Sequence, residues 1–409
     1  MVLFCRVNLV STKTKILIFM VIIAIVMVVQ FLLPGLGQSH SSRLESTGNG
    51  VSYSFDDSPS FHSNQGNFFF ATRNGISGYT SSADVRWRHS FNFTRPVMVA
   101  RGDIVAVGEQ QGGRRIYVFN NDGFLFDVEL DHPITTFSVN ETGFLAVVVQ
   151  YATGHGIQVF NRHSSNAPLY SRDIVETLVF PTAVEISVSG RHIAVAMLDL
   201  NTRLNTVLEF GYINQADGFA TGNRYGTFSA VELRGQVVYG MRFMEDNKLV
   251  VATTSQIIGY QITSRSYAVS TQSQVWHEEL QNSLSHIYFY NNRYFAYVTG
   301  DRNLGQADAP AVGTVRVMQA DGSEVGTFAT GRRVTHFSMG SDAFLVGADR
   351  NFNAVDLRGN HLWEHNILYD VRGRDVIFVG DTNTVLIAGA TRAEIYERTR
   401  VRVDEFEFY

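Results

Sequence analysis

Ile134-Thr135-Thr136-Phe137-Ser138-Val139-Asn140-Glu141-Thr142-Gly143-Phe144-Leu145-Ala146-Val147-Val148-Val149 is the stretch that decides the fold. It reads as strand, tight turn, strand: β-branched and aromatic residues flank a turn that carries Asn and Gly. A loop then leads to Ile157-Gln158-Val159-Phe160-Asn161, and a further connection to the run from Leu169 to Ile174. Four short strands in this order make an antiparallel meander, lettered a to d from the inside outward.

The third of these strands recurs along the chain. Ile116-Tyr117-Val118-Phe119-Asn120, Ile257-Ile258-Gly259-Tyr260-Gln261 and Val315-Arg316-Val317-Met318-Gln319 repeat its form, with weaker copies at Ile76–Tyr79, Phe352–Val355 and Glu394–Tyr396. The spacing is roughly 37 to 57 residues, and no helical periodicity lies between copies. A strand-only repeat of this length predicts a β-propeller. Eight blades are expected, at 50–95, 96–132, 133–178, 179–235, 236–282, 283–332, 333–370 and 371–409. Seven is the alternative, because Val51 to Phe55 fits either the first inner strand or a pairing elsewhere. In that second case the ring closes through Val401 to Phe408.

Outer strands alternate and hold all three tryptophans: Trp87, Trp276 and Trp363. An indole has the volume to fill the gap that widens between twisted blades away from the axis.

Of the 409 residues, 45% are hydrophobic and 17% charged, the balance of a chain with a packed core. The net charge of −5 is unevenly placed. Arg6, Lys13 and Lys15 precede an acidic body, which argues against nucleic acid as a partner. The single cysteine, Cys5, excludes a disulfide.

Ile16 to Leu33 is apolar apart from Gln30, long enough for a helix to cross a hydrocarbon core. The cations before it place the N-terminus inside. The expected order is a cytoplasmic segment 1–15, a transmembrane signal anchor 16–34, a flexible stalk 35–49 and a propeller domain 50–409. The protein is then expected at the cytoplasmic membrane, single-pass, with the propeller periplasmic or extracellular. The competing reading is a signal peptide cut before Gln38, with Gly35 and Gly37 as the small residues.

No nucleophile elbow, zinc-protease helix, P-loop or dinucleotide fingerprint is present. His361 and His365 have a zinc-like spacing but lie on a strand with Trp363. Asp349-Arg350-Asn351-Phe352-Asn353-Ala354 departs from a calcium loop at its sixth position. Asn92-Phe93-Thr94 and Asn140-Glu141-Thr142 match glycosylation acceptors. No catalytic residue, metal site or cofactor is expected.

The a–b turns are short and several b–c connections are long. In a propeller the b–c and d–a loops emerge on one face, and elaborated loops on a rigid scaffold are where binding sits. Exposed candidates there are Arg114, Arg115, Tyr151, His155, Arg203, Arg302 and Asp308. Long c–d connections at Asn214 to Arg224 and Ser264 to Gln274 run against a single elaborated face.

Through Ile134 to Val148 and Arg191-His192-Ile193-Ala194-Val195-Ala196 the chain resembles a family of bacterial membrane-anchored propellers of unknown function. Gly359-Asn360-His361-Leu362-Trp363 is similar, more distantly, to the repeat of quinoprotein-like (PQQ-like, BamB-like) propellers. The paired cysteines and acidic metal ligands of quinoprotein dehydrogenases are missing, so that resemblance implies no such activity. WD40 repeats match less well, since no Trp-Asp ends a strand c.

The expected function is a non-enzymatic scaffold tethered outside the membrane, binding an envelope protein, peptide or glycan. The alternative is an enzyme at the channel mouth, either a cofactor-dependent dehydrogenase or a lyase/hydrolase. Three or more acids, histidines or arginines converging on one channel end favour the enzyme. A channel of Ser, Thr, Val and Gly favours the scaffold.

Overall fold

The structure, a computed structural model, describes residues 40–57, 59–64, 66–109, 112–201, 204–214, 227–266, 269–282, 284–300, 313–348, 351–366 and 376–402. Residues 44–398 form one compact unit, and it contains the ring described here. The apolar stretch 16–33 lies outside the described residues. Among those described, no helix is long and apolar enough to cross a membrane.

Eight four-stranded sheets, each ordered a-b-c-d, account for every described strand. Their inner strands are Ser60–Asn64, Pro96–Arg101, Ile134–Val139, Val179–Ile186, Val238–Glu245, Leu284–Tyr290, His336–Met339 and Val376–Phe378, in blades 1 to 8. Each inner strand touches the next, and that of blade 8 touches that of blade 1, so the ring is closed. The protein is an eight-bladed β-propeller.

The second strands show how the blades pack on one another. Leu145 to Val149, Leu249 to Ala252 and Phe295 to Val298 are buried at every position, with no alternation. A strand covered by a neighbouring blade on each side has no solvent face, so both sets of side chains are apolar. The core accordingly divides into eight clusters, each spanning one blade interface. One joins Ile116, Val118 and Phe126 of blade 2 to Phe137, Leu145 and Val147 of blade 3.

The ends of the chain correct the expectation. Blade 8 takes strands a, b and c from Val376–Phe378, Thr384–Ala388 and Arg392–Arg402, and its outer strand is His40–Ser52. Residues 40–49, expected as part of a flexible stalk, therefore belong to a strand. Leu44 is buried in the cluster between blades 7 and 8, and Val51 in the cluster between blades 8 and 1. The first inner strand is Ser60–Asn64, not Val51 to Phe55. An outer strand d runs toward the d–a loops and a strand c away from them. Leu44 and Arg398 thus both lie toward the face that carries the a–b and c–d turns.

A second correction concerns blade 5. The described residues of the stretch Ser264 to Gln274 are strand: c and d, Gln256–Ser266 and Val269–Glu279, stay paired from Gln261↔Ser273 out to Ser266↔Val269.

The tryptophans do fill the gaps between blades. Each sits on a strand d opposite a small strand-c partner, as Gly78↔Trp87, Gly259↔Trp276 and Ala354↔Trp363, with a bulge beside each pair. Trp87 Nε1 donates to Asn121 O in blade 2 at 3.0 Å, and Trp276 Nε1 to Ala320 O in blade 6 at 3.1 Å. A methyl group at Gly259 would stand 2.1 Å from the Trp276 indole nitrogen, so only glycine fits.

Candidate functional site

The two faces of the ring differ in chemistry. On the a–b turn face, polar groups are tied from blade to blade. Asn140 ends strand a of blade 3, where its Oδ1 accepts from the Thr142 and Phe144 amides to shape the turn. Its Nδ2 donates to Ser187 O of blade 4 at 2.8 Å. Asn140 is buried and fully engaged, which closes this glycosylation acceptor. The Ser189 amide of blade 4 donates to Asp246 Oδ1 in the turn of blade 5 at 2.8 Å.

Four charges converge at this end of the axis. Arg101 Nη2 of blade 2 lies 2.7 Å from Glu185 Oε1 of blade 4. Arg242 of blade 5 donates through Nη1 to Phe289 O of blade 6 at 2.6 Å and stands 3.6 Å from Glu141 of blade 3. Asn292 of blade 6 donates to the other oxygen of Glu141 at 2.6 Å. These ties cross the ring and link blades 2 to 6. Burial pushes the Glu185 carboxyl above the usual carboxylate range, against the pull of Arg101 and Arg242. Burial, then the charge of Arg101, draws Arg242 down to about 10.

Beside the arginines lies an axial cavity of about 330 Å³. Its walls come from strands a and a–b turns of blades 1, 2 and 6, with Arg242 from blade 5. His62 bonds Gly102 O at 3.2 Å, and burial lowers its imidazole to about 4, with Arg101 and Arg242 adding to the effect. The convergence of arginines and acids that was tied to an enzyme is present. Its chemistry is that of two acids paired with two arginines, the compensation a buried charge requires.

The opposite face carries exposed apolar side chains. Val175, Leu178, Phe180, Leu200, Leu204 and Tyr239 are all exposed, Val175 at 74% and Tyr239 at 60%. Val175 and Leu178 sit on the d–a connection from blade 3 to blade 4, Leu200 and Leu204 on the b–c connection of blade 4, and Phe180 and Tyr239 at the starts of the inner strands of blades 4 and 5. Backbone bonds tie the connections together: the Leu200 amide to Leu178 O and the Gly235 amide to Leu204 O, both 3.0 Å. Scattered exposed leucines are ordinary, whereas six large apolar side chains on two connections and the adjoining strand starts of one face form a patch.

The described residues among those singled out from sequence do not converge. Arg114 is exposed in the b–c loop of blade 2. Arg115 opens the next strand and is held by Asp127 at 3.2 Å and Glu129 at 2.7 Å on its own blade. Tyr151 donates to Asp173 at 2.8 Å and packs against His132; burial and that carboxylate push its phenol up to about 12. His155 was expected to be exposed and is buried, its ring edge-on to Phe180 and its imidazole lowered by burial. It supports the patch from beneath. Arg203, Arg302 and Asp308 lie outside the described residues, as do Asp349 and Arg350 of the calcium-like stretch. His361 bonds Asn353 at 3.1 Å on strand d of blade 7.

Sequence reasoning missed Arg101, Glu141, Glu185 and Arg242. A charged residue inside a run such as Val184-Glu185-Ile186 or Met241-Arg242-Phe243 is the signal that marks it as paired or functional.

A family profile described as "Family of unknown function (DUF5711)" matches residues 45–397. No curated protein matches the chain. The solved structures it is similar to include BamB from Moraxella catarrhalis, 12% identical with TM-score 0.48, covering 87% of this chain and 100% of that one. They also include the Cps50 (Swd1) β-propeller domain of Myceliophteria thermophila, 10% identical with TM-score 0.47 and coverage of 87% and 100%. A third is Hsv2 of Kluyvelomyces marxianus, 12% identical with TM-score 0.41 and coverage of 83% and 90%.

Proposed function

This chain belongs to the family of unknown function DUF5711, and on that premise we propose that it is a non-enzymatic interaction scaffold of the cell envelope. The segment 16–34 anchors it in the cytoplasmic membrane with the N-terminus inside. The propeller outside presents its b–c and d–a face to an envelope protein. The observation that carries this reading is the patch of Val175, Leu178, Phe180, Leu200, Leu204 and Tyr239.

A photo-crosslinking residue at Leu178 or Tyr239 tests the reading in intact cells, with one at Asn383 in an a–b turn as the control. Defined protein adducts from the first two positions and none from the control are expected. Leu178→Glu with Leu200→Glu then removes the adduct formed at Tyr239 while the unfolding temperature stays unchanged. Adducts of equal strength from both faces, or capture of peptide or glycan instead of protein, overturn the choice of partner.

A second reading, an enzyme at the channel mouth, draws support from one observation, the convergence of Arg101, Arg242, Glu141 and Glu185 beside an axial cavity. It requires turnover of a bound molecule that stops on Arg242→Lys, with binding at the opposite face unchanged.

A further inference from the structure

The charges around the axis are arranged with a direction. Arg101 and Arg242 line the large cavity, and among the described residues no carboxylate shares its wall. Glu185 and Glu141 stand behind them and line a separate void of about 10 Å³, hardly room for a water, which both arginines also touch. The two guanidiniums thus form a partition, with acids on one side and open space on the other.

They also keep donors in reserve. A guanidinium has five N–H groups in a planar fork. Among the described residues Arg242 gives one to Phe289 O, with Glu141 at ion-pair distance. Arg101 uses Nη2 on Glu185 and Nη1 on the carbonyl of its own neighbour Ala100 at 3.0 Å. The remaining donors have no protein acceptor there. Arg242 is only 6% exposed, so water solvates it poorly and an anion at its open side replaces hydration that burial removed.

The rest of the wall sets the ligand's body. Phe61, Met98, Ile287 and Tyr290 give it apolar and aromatic surface, and about 330 Å³ is the size of a small-molecule site. The acids behind the partition offset the two positive charges. A single negative charge engages the unused guanidinium donors, whereas a dianion also meets the repulsive field of Glu185 and Glu141.

We propose that the axial cavity binds a small organic monocarboxylate with a flat apolar body, its carboxylate held by Arg101 and Arg242. The site lies on the a–b side of the ring, apart from the apolar patch, and is independent of the scaffold reading.

Calorimetric titration of the purified full chain tests this with three probes: phenylacetate, its neutral isostere phenylacetamide, and inorganic phosphate. Phenylacetate is expected to bind saturably and about tenfold or more tighter than phenylacetamide, a difference that weakens with added salt. Phosphate is expected to bind more weakly than phenylacetate. Ser63→Trp, which fills the cavity and leaves both arginines and their acids in place, is expected to abolish binding. Equal affinity for acid and amide, tighter binding of phosphate, or no saturable binding of phenylacetate up to millimolar concentration overturns the assignment. Unchanged binding by a folded Ser63→Trp protein overturns its location. The wild-type selectivity decides the matter if that variant does not fold.

Discussion

Arg101 of blade 2 reaches past blade 3 to Glu185 of blade 4, Nη2 to Oε1 at 2.7 Å. A bond between neighbouring blades secures one interface, whereas this one fixes the middle blade from both sides. Glu185 is 9% exposed and Arg101 20%, so neither charge is tolerable alone. Glu185→Leu leaves Arg101 without its acid and is expected to cost about 3 kcal/mol in urea unfolding. Arg101→Met with Glu185→Leu is expected to recover at least half of that loss. Losses that simply add would mean the pair contributes nothing as a pair.

The Gly259–Trp276 contact makes a coupled prediction. Gly259→Ala drives a methyl group into the indole and is expected to cost about 2 kcal/mol by overpacking. Trp276→Ala empties part of the interface between blades 5 and 6 and is expected to cost about 3 kcal/mol. In the double variant the new methyl group meets vacated space, so the total is expected to fall short of the sum by about 1 kcal/mol or more. A strictly additive result would place the glycine's role elsewhere.

His62 gives the ring a pH dependence whose sign is fixed. Its imidazole lies at about 4 in the folded chain against an ordinary 6.5. Between those values the unfolded chain binds the proton and the folded chain does not. Stability is therefore complete above pH 6.5 and declines as pH falls toward 4. The half-buried ring contributes on the order of 2 kcal/mol to this loss. His62→Gln keeps a donor for Gly102 O and removes the titration. The difference between variant and parent in thermal unfolding from pH 7 to 4 isolates the effect; parallel curves would refute it.

What sequence made visible was local. Leu145 to Val149 and Leu249 to Ala252 announce buried strands by composition alone, and the turn from Asn140 to Gly143 announces its hairpin. The recurrence of the third strand, as at Ile116–Asn120 and Ile157–Asn161, yields the propeller, because each blade repeats the same burial problem. The candidate site was less visible. Asn140 bonds Ser187, and Arg101 bonds Glu185, across 47 and 84 positions of chain. Such contacts arise only once the ring brings inner strands around one axis, and nothing in the local pattern encodes them. The long loops and the exposed apolar residues lie on the same face. Of the residues chosen there for their polarity, Arg115 and Tyr151 are tied to acids beside them.

The hardest element to foresee was the closing strand, and it supports the last prediction. His40–Ser52 has the composition of a linker, rich in Ser and Gly with two large apolar residues. It forms a strand because the edge of Arg392–Arg402 offers unpaired backbone groups, and an outer strand needs few apolar contacts beyond that. Leu44 and Val51 enter opposite faces of blade 8 and so bind it to both neighbours. Their burial contributes about 4 kcal/mol, apart from the backbone ladder. Deleting residues 40–52 is expected to lower the unfolding temperature and to produce oligomers through the exposed edge, seen by size-exclusion chromatography. Leu44→Ser alone is expected to give a milder loss of about 2 kcal/mol with the monomer retained. A synthetic peptide of residues 40–53 added to the deleted protein is expected to restore monomer by strand addition. If the deleted protein unfolds like the parent, the ring does not depend on this strand for closure.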